Sequence, residues 1–262
     1  MIKIVFPEYK NEIIAAAIEE AKQKYSDFMP VFAESLEEAC EKVRDGQADA
    51  MIAGIDYTSR DVILSCRDII GMRESEKPAK KTFSASFLFE KGEKAFLLGD
   101  AAACKHPDEN MLYDIVLQTY ETAKTLLNDT PRIAMLSFST LGSGGNDESI
   151  TRIKEVVNRV HMKYPEIAID GELQLDAAIN EKIGNKKAPG STVAGRANVL
   201  IVPDLNSGNI LYKAIEQFGG YTAAGPILQG FRAPISDLSR GSTKEDVLAV
   251  IDVELKLVAK NA

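Results

Sequence analysis

The 262-residue chain holds only two histidines and three cysteines. His106 and His161 are too few and too far apart for a histidine-rich metal site. Cys40, Cys66 and Cys104 are widely spaced, odd in number and form no C-x-x-C pair. That excludes a disulfide framework and fits a reducing cytoplasm. No apolar run reaches the length of a membrane span, and the stretch after Met1 has no signal-peptide core, so no membrane partner is expected. Basic residues are outnumbered, 31 Lys and Arg against 39 Asp and Glu, for a formal charge of −8. Such a surface disfavours nonspecific nucleic-acid binding, and an anionic substrate would need a local cluster of arginines. Internal repeats, low-complexity tracts, a dinucleotide glycine fingerprint and a defensible set of metal-binding aspartates are all missing.

What is present reads as α/β. Ile2 to Phe6 is a short buried strand stopped by Pro7, and Asn11 to Lys24 a helix with Ile14, Ala17, Ile18 and Ala21 on one face. Ser35 can cap a helix to Arg44, with Glu38 where a capping box places an acid. Ala48 to Ala53 is a strand and Thr58 to Ile70 a helix; this alternation implies a mainly parallel sheet. Residues 73–81 read as a charged connector. Phe83 to Phe89 and Lys94 to Leu98 look like paired strands. Then follow a helix from Asp108 to Asn128, a strand from Arg132 to Phe138, a helix from Glu148 to Lys163 and a strand from Ala168 to Leu173. Asn198 to Val202 is a strand, Asn209 to Phe218 a helix, and Thr243 to Lys260 the last helix. The texture changes near 72 and returns near 232. This suggests a discontinuous first domain, 1–72 plus 232–262, with a second domain over 73–231.

Besides Lys187 to Asn198, a small-residue stretch that could let a ligand or neighbouring chain approach the backbone but is equally well explained as a structural loop, four segments could carry chemistry. After the strand at Arg132, Ser139 and Thr140 lie on a Ser/Thr/Gly loop whose backbone N–H groups could hold phosphate, though a plain solvated loop fits too. Asp170, Glu172 and Asp176 could bind a cation; the bland alternative has Asp170 shaping a turn and Asp176 capping the next helix. Asp204 to Asn209 is a strand-to-helix turn where Asn206 or Ser207 is the default cap and Asn206 a candidate ligand contact. The fourth, Ile235-Ser236-Asp237-Leu238-Ser239-Arg240-Gly241-Ser242-Thr243-Lys244-Glu245-Asp246, is the most informative. Hydroxyls, an arginine and a glycine precede a helix start with a carboxylate in its first turn. Ser242 with Glu245 and Thr243 with Asp246 both have capping-box spacing, and Arg240 could simply pair with Asp237.

Several stretches in order, AMLSFSTLGSG, IAIDGELQLDAAI, KKAPGSTVAGRANVLIVPDLNSGNI, GPILQG and ISDLSRGSTKED, resemble the phosphate acetyl/butyryltransferase family from about Pro131 to Val247. The Asp170-Gly171-Glu172-Leu173-Gln174 and Pro203-Asp204-Leu205-Asn206 forms look nearer the acetyl branch. The resemblance implies two three-layer αβα domains with a cleft between them, like the isocitrate/isopropylmalate dehydrogenases. It implies reversible acyl transfer between acyl phosphate and coenzyme A, a homodimer, no resident cofactor, and coenzyme A as substrate. By the same resemblance Asp246 takes the thiol proton, Arg240 binds phosphate and Ser239 hydrogen-bonds the reacting groups. Ser242 stands where cysteine is common, so no covalent thiol acts there. The first domain is shorter than the family's. The family's arginine on the helix after Gly54 falls on Leu64 here, with Arg60 one turn away as the substitute and Arg67 as second choice. Arg60, Ser139, Thr140, Ser242 and Asn206 are thus expected to contact substrate. Two other readings remain: a butyryl or branched-chain phosphotransacylase, and a noncatalytic CoA-binding regulatory protein.

Overall fold

The computed structural model describes residues 1–74 and 82–261, so most of the connector at 73–81 lies outside the described residues. The chain forms two compact units: unit 1 is Met1–Phe83 with Thr222–Ala262, and unit 2 is Ser84–Tyr221. Both are mixed α/β.

Unit 1 opens with β1 (Ile2–Phe6), α1 (Glu12–Lys24), β2 (Phe28–Phe32), α2 (Leu36–Arg44), β3 (Ala50–Ala53) and α3 (Ser59–Ser65), which runs into a π-helical turn, Cys66–Ile70. Local chemistry explains the helix starts. The Asn11 side chain accepts from the Ile13 N–H, Ser35 from Glu38 and Thr58 from Asp61, satisfying N–H groups that the first turn cannot bond internally. α1 buries Ile14, Ala17, Ile18 and Ala21, the stripe expected at helical spacing. The strand β2 is absent from the sequence reading because Pro30 interrupts it. Pro30 pairs opposite Ile4, and β1 is the one strand β2 pairs with among the described residues, so it has the edge position that tolerates proline.

Unit 2 follows with β4 (Ser84–Lys91), β5 (Lys94–Gly99), α4 (Glu109–Leu126), β6 (Arg132–Leu136), α5 (Glu148–Lys163), β7 (Ala168–Leu173), α6 (Leu175–Ile179), α7 (Glu181–Lys187), β8 (Val199–Ile201) and α8 (Leu205–Gly219). β4 and β5 form an antiparallel hairpin; β5, β8, β6 and β7 then pair in parallel. The apolar runs of β6 and β8 are buried, as parallel strands between layers require. α8 starts four residues before the predicted Asn209. Its cap is Asp204, which accepts from the Ser207 N–H, and not Asn206 or Ser207. Gly208 inside α8 allows that docking: a Cβ there would sit 2.8 Å from the Asp100 carbonyl oxygen and 2.9 Å from Ala101 Cα.

The chain returns to unit 1 with β9 (Thr222–Gln229), β10 (Ile235–Asp237) and α9 (Lys244–Asn261). β10 pairs in parallel with β3 and antiparallel with β9, giving the order β2-β1-β3-β10-β9. α9 packs on α1 and β9. Among the described residues no helix is long and apolar enough to cross a membrane.

Candidate active site

β10 ends at Asp237, and α9 begins at Lys244; the segment between them is a turn closed on itself. The Ser242 N–H donates to the Ser239 carbonyl at 2.9 Å, and the Ser239 N–H donates to Ser242 Oγ at 3.0 Å. Ser239 Oγ accepts from the Gly241 N–H at 3.3 Å. Of the two capping boxes the spacing allows, the one formed is Thr243 with Asp246. Thr243 Oγ1 accepts from the Asp246 N–H at 3.2 Å, while Asp246 Oδ2 accepts from the Thr243 N–H at 2.8 Å and the Thr243 hydroxyl at 2.9 Å. Ser242 is buried and spends its oxygen on the turn. Asp246 therefore has one oxygen held and Oδ1 without a partner among the described residues.

Ser239 and Arg240 are exposed, and Arg240 makes no ion pair among the described residues. Its suggested partner Asp237 is unsuited to the role, being 1% exposed inside unit 1. Burial pushes the Asp237 carboxyl up to about 6, opposed by a hydrogen bond with Ser59 and reinforced by the charge of Glu8. Glu8 is itself buried and accepts from four successive N–H groups, Gly54, Ile55, Asp56 and Tyr57, at 2.5 to 3.4 Å. This carboxylate fixes the loop between β3 and α3. Gly54 lets β3 and β10 meet there, since a Cβ would lie 2.1 Å from Asp237 Oδ1. Arg60, near the start of α3, is exposed and free of ion pairs among the described residues. Arg67 instead pairs with Asp68 at 2.7 Å. Beneath the segment, Glu254 of α9 is fully buried against Ser236 of β10, Oγ to Oε1 2.5 Å. Burial pushes its carboxyl up to about 8.

In unit 2 the loop after β6 is built around Glu172, which is fully buried. Glu172 Oε1 accepts from the Ser139 hydroxyl at 2.8 Å and the Gly142 N–H at 2.5 Å; Lys154 Nζ is 3.7 Å from Oε2. Burial alone would raise this carboxyl, but the Gly142 and Glu172 N–H groups, the Ser139 hydroxyl and the Lys154 charge outweigh it and hold it below the ordinary value. The expected phosphate cradle of loop amides is not what the loop forms. Every N–H from Ser139 to Gly145 already has an acceptor: Ser137 Oγ, Ser143 Oγ, the Glu172 carbonyl, Glu172 Oε1, the Thr140 carbonyl, Ser139 Oγ and the Gly142 carbonyl in turn. Ser139 is buried, with its hydroxyl spent inside the loop. The Thr140 hydroxyl accepts from the Gln174 N–H at 3.1 Å and donates to Gln174 Oε1 at 3.3 Å.

The three acids do not converge. Asp170 Oδ1 accepts from the Gly171 N–H within β7, and Asp176 pairs with Lys187 at 2.8 Å rather than capping α6. Among the described residues no group of three or more His, Cys, Asp or Glu could hold a metal ion. Asn206 sits exposed in the first turn of α8. Cys40, Cys66 and Cys104 are free and buried. Glu8 and Gln174 carry much of this geometry, yet the sequence reading did not single them out. Glu8 meets its donors 46 to 49 positions away, which no local pattern signals.

A family model described as phosphate acetyl/butaryl transferase matches residues 1–254. A phosphate acetyltransferase of Treponema pallidum is 40% identical over 240 residues, 84% of this chain and 70% of that protein. One from Clostridium acetobutylicum is 42% identical over 217 residues, 80% and 64% respectively. The chain thus spans about two thirds of the length of these curated relatives. The crystal structure of a phosphotransacetylase from Streptococcus pyogenes superposes with a TM-score of 0.86 at 30% identity, covering 99% of this chain and 94% of that one. A 4-hydroxythreonine-4-phosphate dehydrogenase from Klebsiella pneumoniae, at 11% identity and a TM-score of 0.53 over 85% of this chain and 69% of that one, shares the fold alone. The fold is of the isocitrate/isopropylmalate dehydrogenase type, and the chain belongs to the phosphate acetyl/butyryl transferase family.

Proposed function

We propose that this chain catalyses reversible acetyl transfer between acetyl phosphate and coenzyme A, by thiolate attack on the acyl carbonyl in a ternary complex. The observation that carries the reading is the segment Ser239 to Asp246. Among the described residues it presents a guanidinium free of ion pairs and a carboxylate whose Oδ2 is held while Oδ1 is open. Asp246 Oδ1 takes the thiol proton, Arg240 binds the phosphoryl oxygens and steadies the leaving phosphate, and the Ser239 hydroxyl donates to the reacting group. From an ordinary thiol near 8.5 to an ordinary aspartate near 3.9, proton transfer is uphill by roughly 6 kcal/mol. Stabilising the thiolate and the leaving group through Arg240 is therefore a large part of the chemistry. Arg60 is the substrate-binding arginine of α3, supported by its freedom from the kind of pairing that occupies Arg67.

Ser242 acts by holding the turn, and Ser139 by holding the loop around Glu172. Thr140, in the loop after β6, and Asn206, in the first turn of α8 after β8, follow the C-terminal ends of parallel strands, where ligands collect in α/β sheets. Coenzyme A is a substrate rather than a resident cofactor. A homodimer in the cytoplasm completes the proposal, supported by the family relationship and by three free thiols. The test is thioester formation from coenzyme A with acetyl, propionyl and butyryl phosphate. Acetyl phosphate should react with the highest kcat/KM. Absence of thioester from all three would sink the reading, and a preference for butyryl phosphate would move it to the other branch.

A further inference from the structure

Gln174 lies at the C-terminal end of β7, beside the loop that follows β6. Its side-chain amide has a fixed orientation. Lys187 Nζ is 2.9 Å from Gln174 Oε1, and an ammonium can only donate, so that atom must be the oxygen. The Thr140 hydroxyl donates to the same oxygen at 3.3 Å. Lys187 in turn is anchored by Asp176 Oδ2 at 2.8 Å. With two donors on Oε1, rotation of the amide would set NH2 against NH3⁺. Gln174 Nε2 therefore faces away from both, and it has no acceptor among the described residues. Thr140, by contrast, has already committed its single O–H to Gln174.

We propose that Gln174 Nε2 is a substrate-binding donor of this chain and that its acceptor is a carbonyl oxygen of a substrate. A neutral NH2 suits a neutral carbonyl. A phosphate dianion would call for an uncompensated cation, and the cation here, Lys187, is already ion-paired with Asp176. The proposal rests on the acyl-transfer reading, which supplies two carbonyl sources: the acyl group of the acyl phosphate and the pantetheine amides of coenzyme A. In this arrangement Thr140, Lys187 and Asp176 are positioning residues that act through Gln174.

Gln174→Glu is the test. Its retained oxygen keeps the bonds from Lys187 and Thr140, while the other oxygen puts an acceptor where a donor stood. Gln174→Met serves as a second variant that removes the donor without adding charge. A lost hydrogen bond to a substrate carbonyl corresponds to about a tenfold effect. If the pantetheine carbonyl is the acceptor, KM for coenzyme A rises about tenfold in both variants while kcat and KM for acetyl phosphate hold. If the acyl carbonyl is the acceptor, kcat falls by at least that factor and both KM values hold. A rise confined to KM for acetyl phosphate would point to the phosphoryl group and overturn the carbonyl assignment; unchanged kinetics in both variants would overturn the proposal entirely. Should the parent form no thioester at all, the acyl-transfer reading fails by itself. Titration calorimetry with coenzyme A and with acetyl phosphate then decides: about tenfold weaker binding of coenzyme A by Gln174→Met sustains the role of Gln174, while weakening confined to acetyl phosphate, or equal affinities, overturns it.

Discussion

Glu254 offers a quantitative check on the interior of unit 1. Its carboxyl is fully buried on α9, bonded to the Ser236 hydroxyl through Oε1, with Oε2 unpartnered. Burial carries it from an ordinary 4.5 to about 8. The folded form thus holds the proton more tightly than the unfolded chain. Its stabilising effect is complete below pH 4.5, is lost as pH rises from there to about 8, and is level beyond. At 1.36 kcal/mol per pH unit, the span from 4.5 to about 8 corresponds to roughly 5 kcal/mol. Glu254→Gln removes the titration and keeps the shape. Its amide leaves N–H groups without partners, a cost of about 1–3 kcal/mol that does not vary with pH. The diagnostic is therefore the slope. In urea unfolding at pH 5, 6.5 and 8, the variant should gain on the parent by about 1.4 kcal/mol per pH unit. A difference constant to within about 0.5 kcal/mol across that range would refute the reasoning, because surface titrations of this size do not discriminate two isosteric side chains.

Asp246→Asn should lower turnover about a hundredfold or more while KM for coenzyme A stays within about threefold, as expected for loss of a general base. Asparagine can still accept the Thr243 N–H, so the helix start survives; turnover within a few fold of the parent would remove Asp246 from the mechanism. Arg240→Ala should raise KM for acetyl phosphate at least tenfold and change unfolding free energy by less than about 0.5 kcal/mol, since the side chain is exposed and unpaired among the described residues. Unchanged kinetics toward that substrate would exclude its phosphate role. Gly54→Ala should destabilise unit 1 by about 3 kcal/mol or more in denaturant titrations. The added Cβ meets Asp237 Oδ1 at 2.1 Å and Leu238 N and O at 2.8 Å, and the backbone φ of +113° already disfavours a side chain; a variant as stable as the parent would contradict that geometry.

Elements whose signal is local were legible from the residues. α5 and β7 run over the predicted spans, and the cap at Ser35 forms as read. Periodicity and capping act within one or two turns, so a sequence window contains them whole. Three strands escaped that window. β2 carries Pro30 and β9 carries Pro226, each of which argues against a strand until its neighbours are known. β10 is only three residues long, and Ser236 and Asp237 look like surface residues. They are buried because Glu254 and β3 enclose them.

The same division holds for the site. Ser239, Arg240 and Asp246 were visible because they share one short segment, and because that segment carries the family's order of residues. Whether Asp237 pairs with Arg240 could not be read there, and it does not; burial beside Glu8 and Ser59 takes Asp237 out of reach of that role. The Ser/Thr/Gly loop shows why composition misleads about binding. Its residue types suit a phosphate cradle, but a carboxylate from the next strand collects its hydroxyl and an amide, and the loop's own side chains and carbonyls take the rest.

The helix start at Ser35, the apolar face of α1 and the chemical identity of the Ser239 to Asp246 segment followed from the order of residues alone, because each depends on neighbours within a few positions. Which donors and acceptors remain open to a ligand was decided by tertiary structure. Each donor proton and acceptor oxygen has a limited bonding capacity, and the partners that take up Glu8, Ser139 and Thr140 come from residues some 30 to 50 positions away, brought close by strand pairing. Among the described residues, Gln174 Nε2 and Asp246 Oδ1 are two of the atoms left uncommitted, each beside a bonded twin.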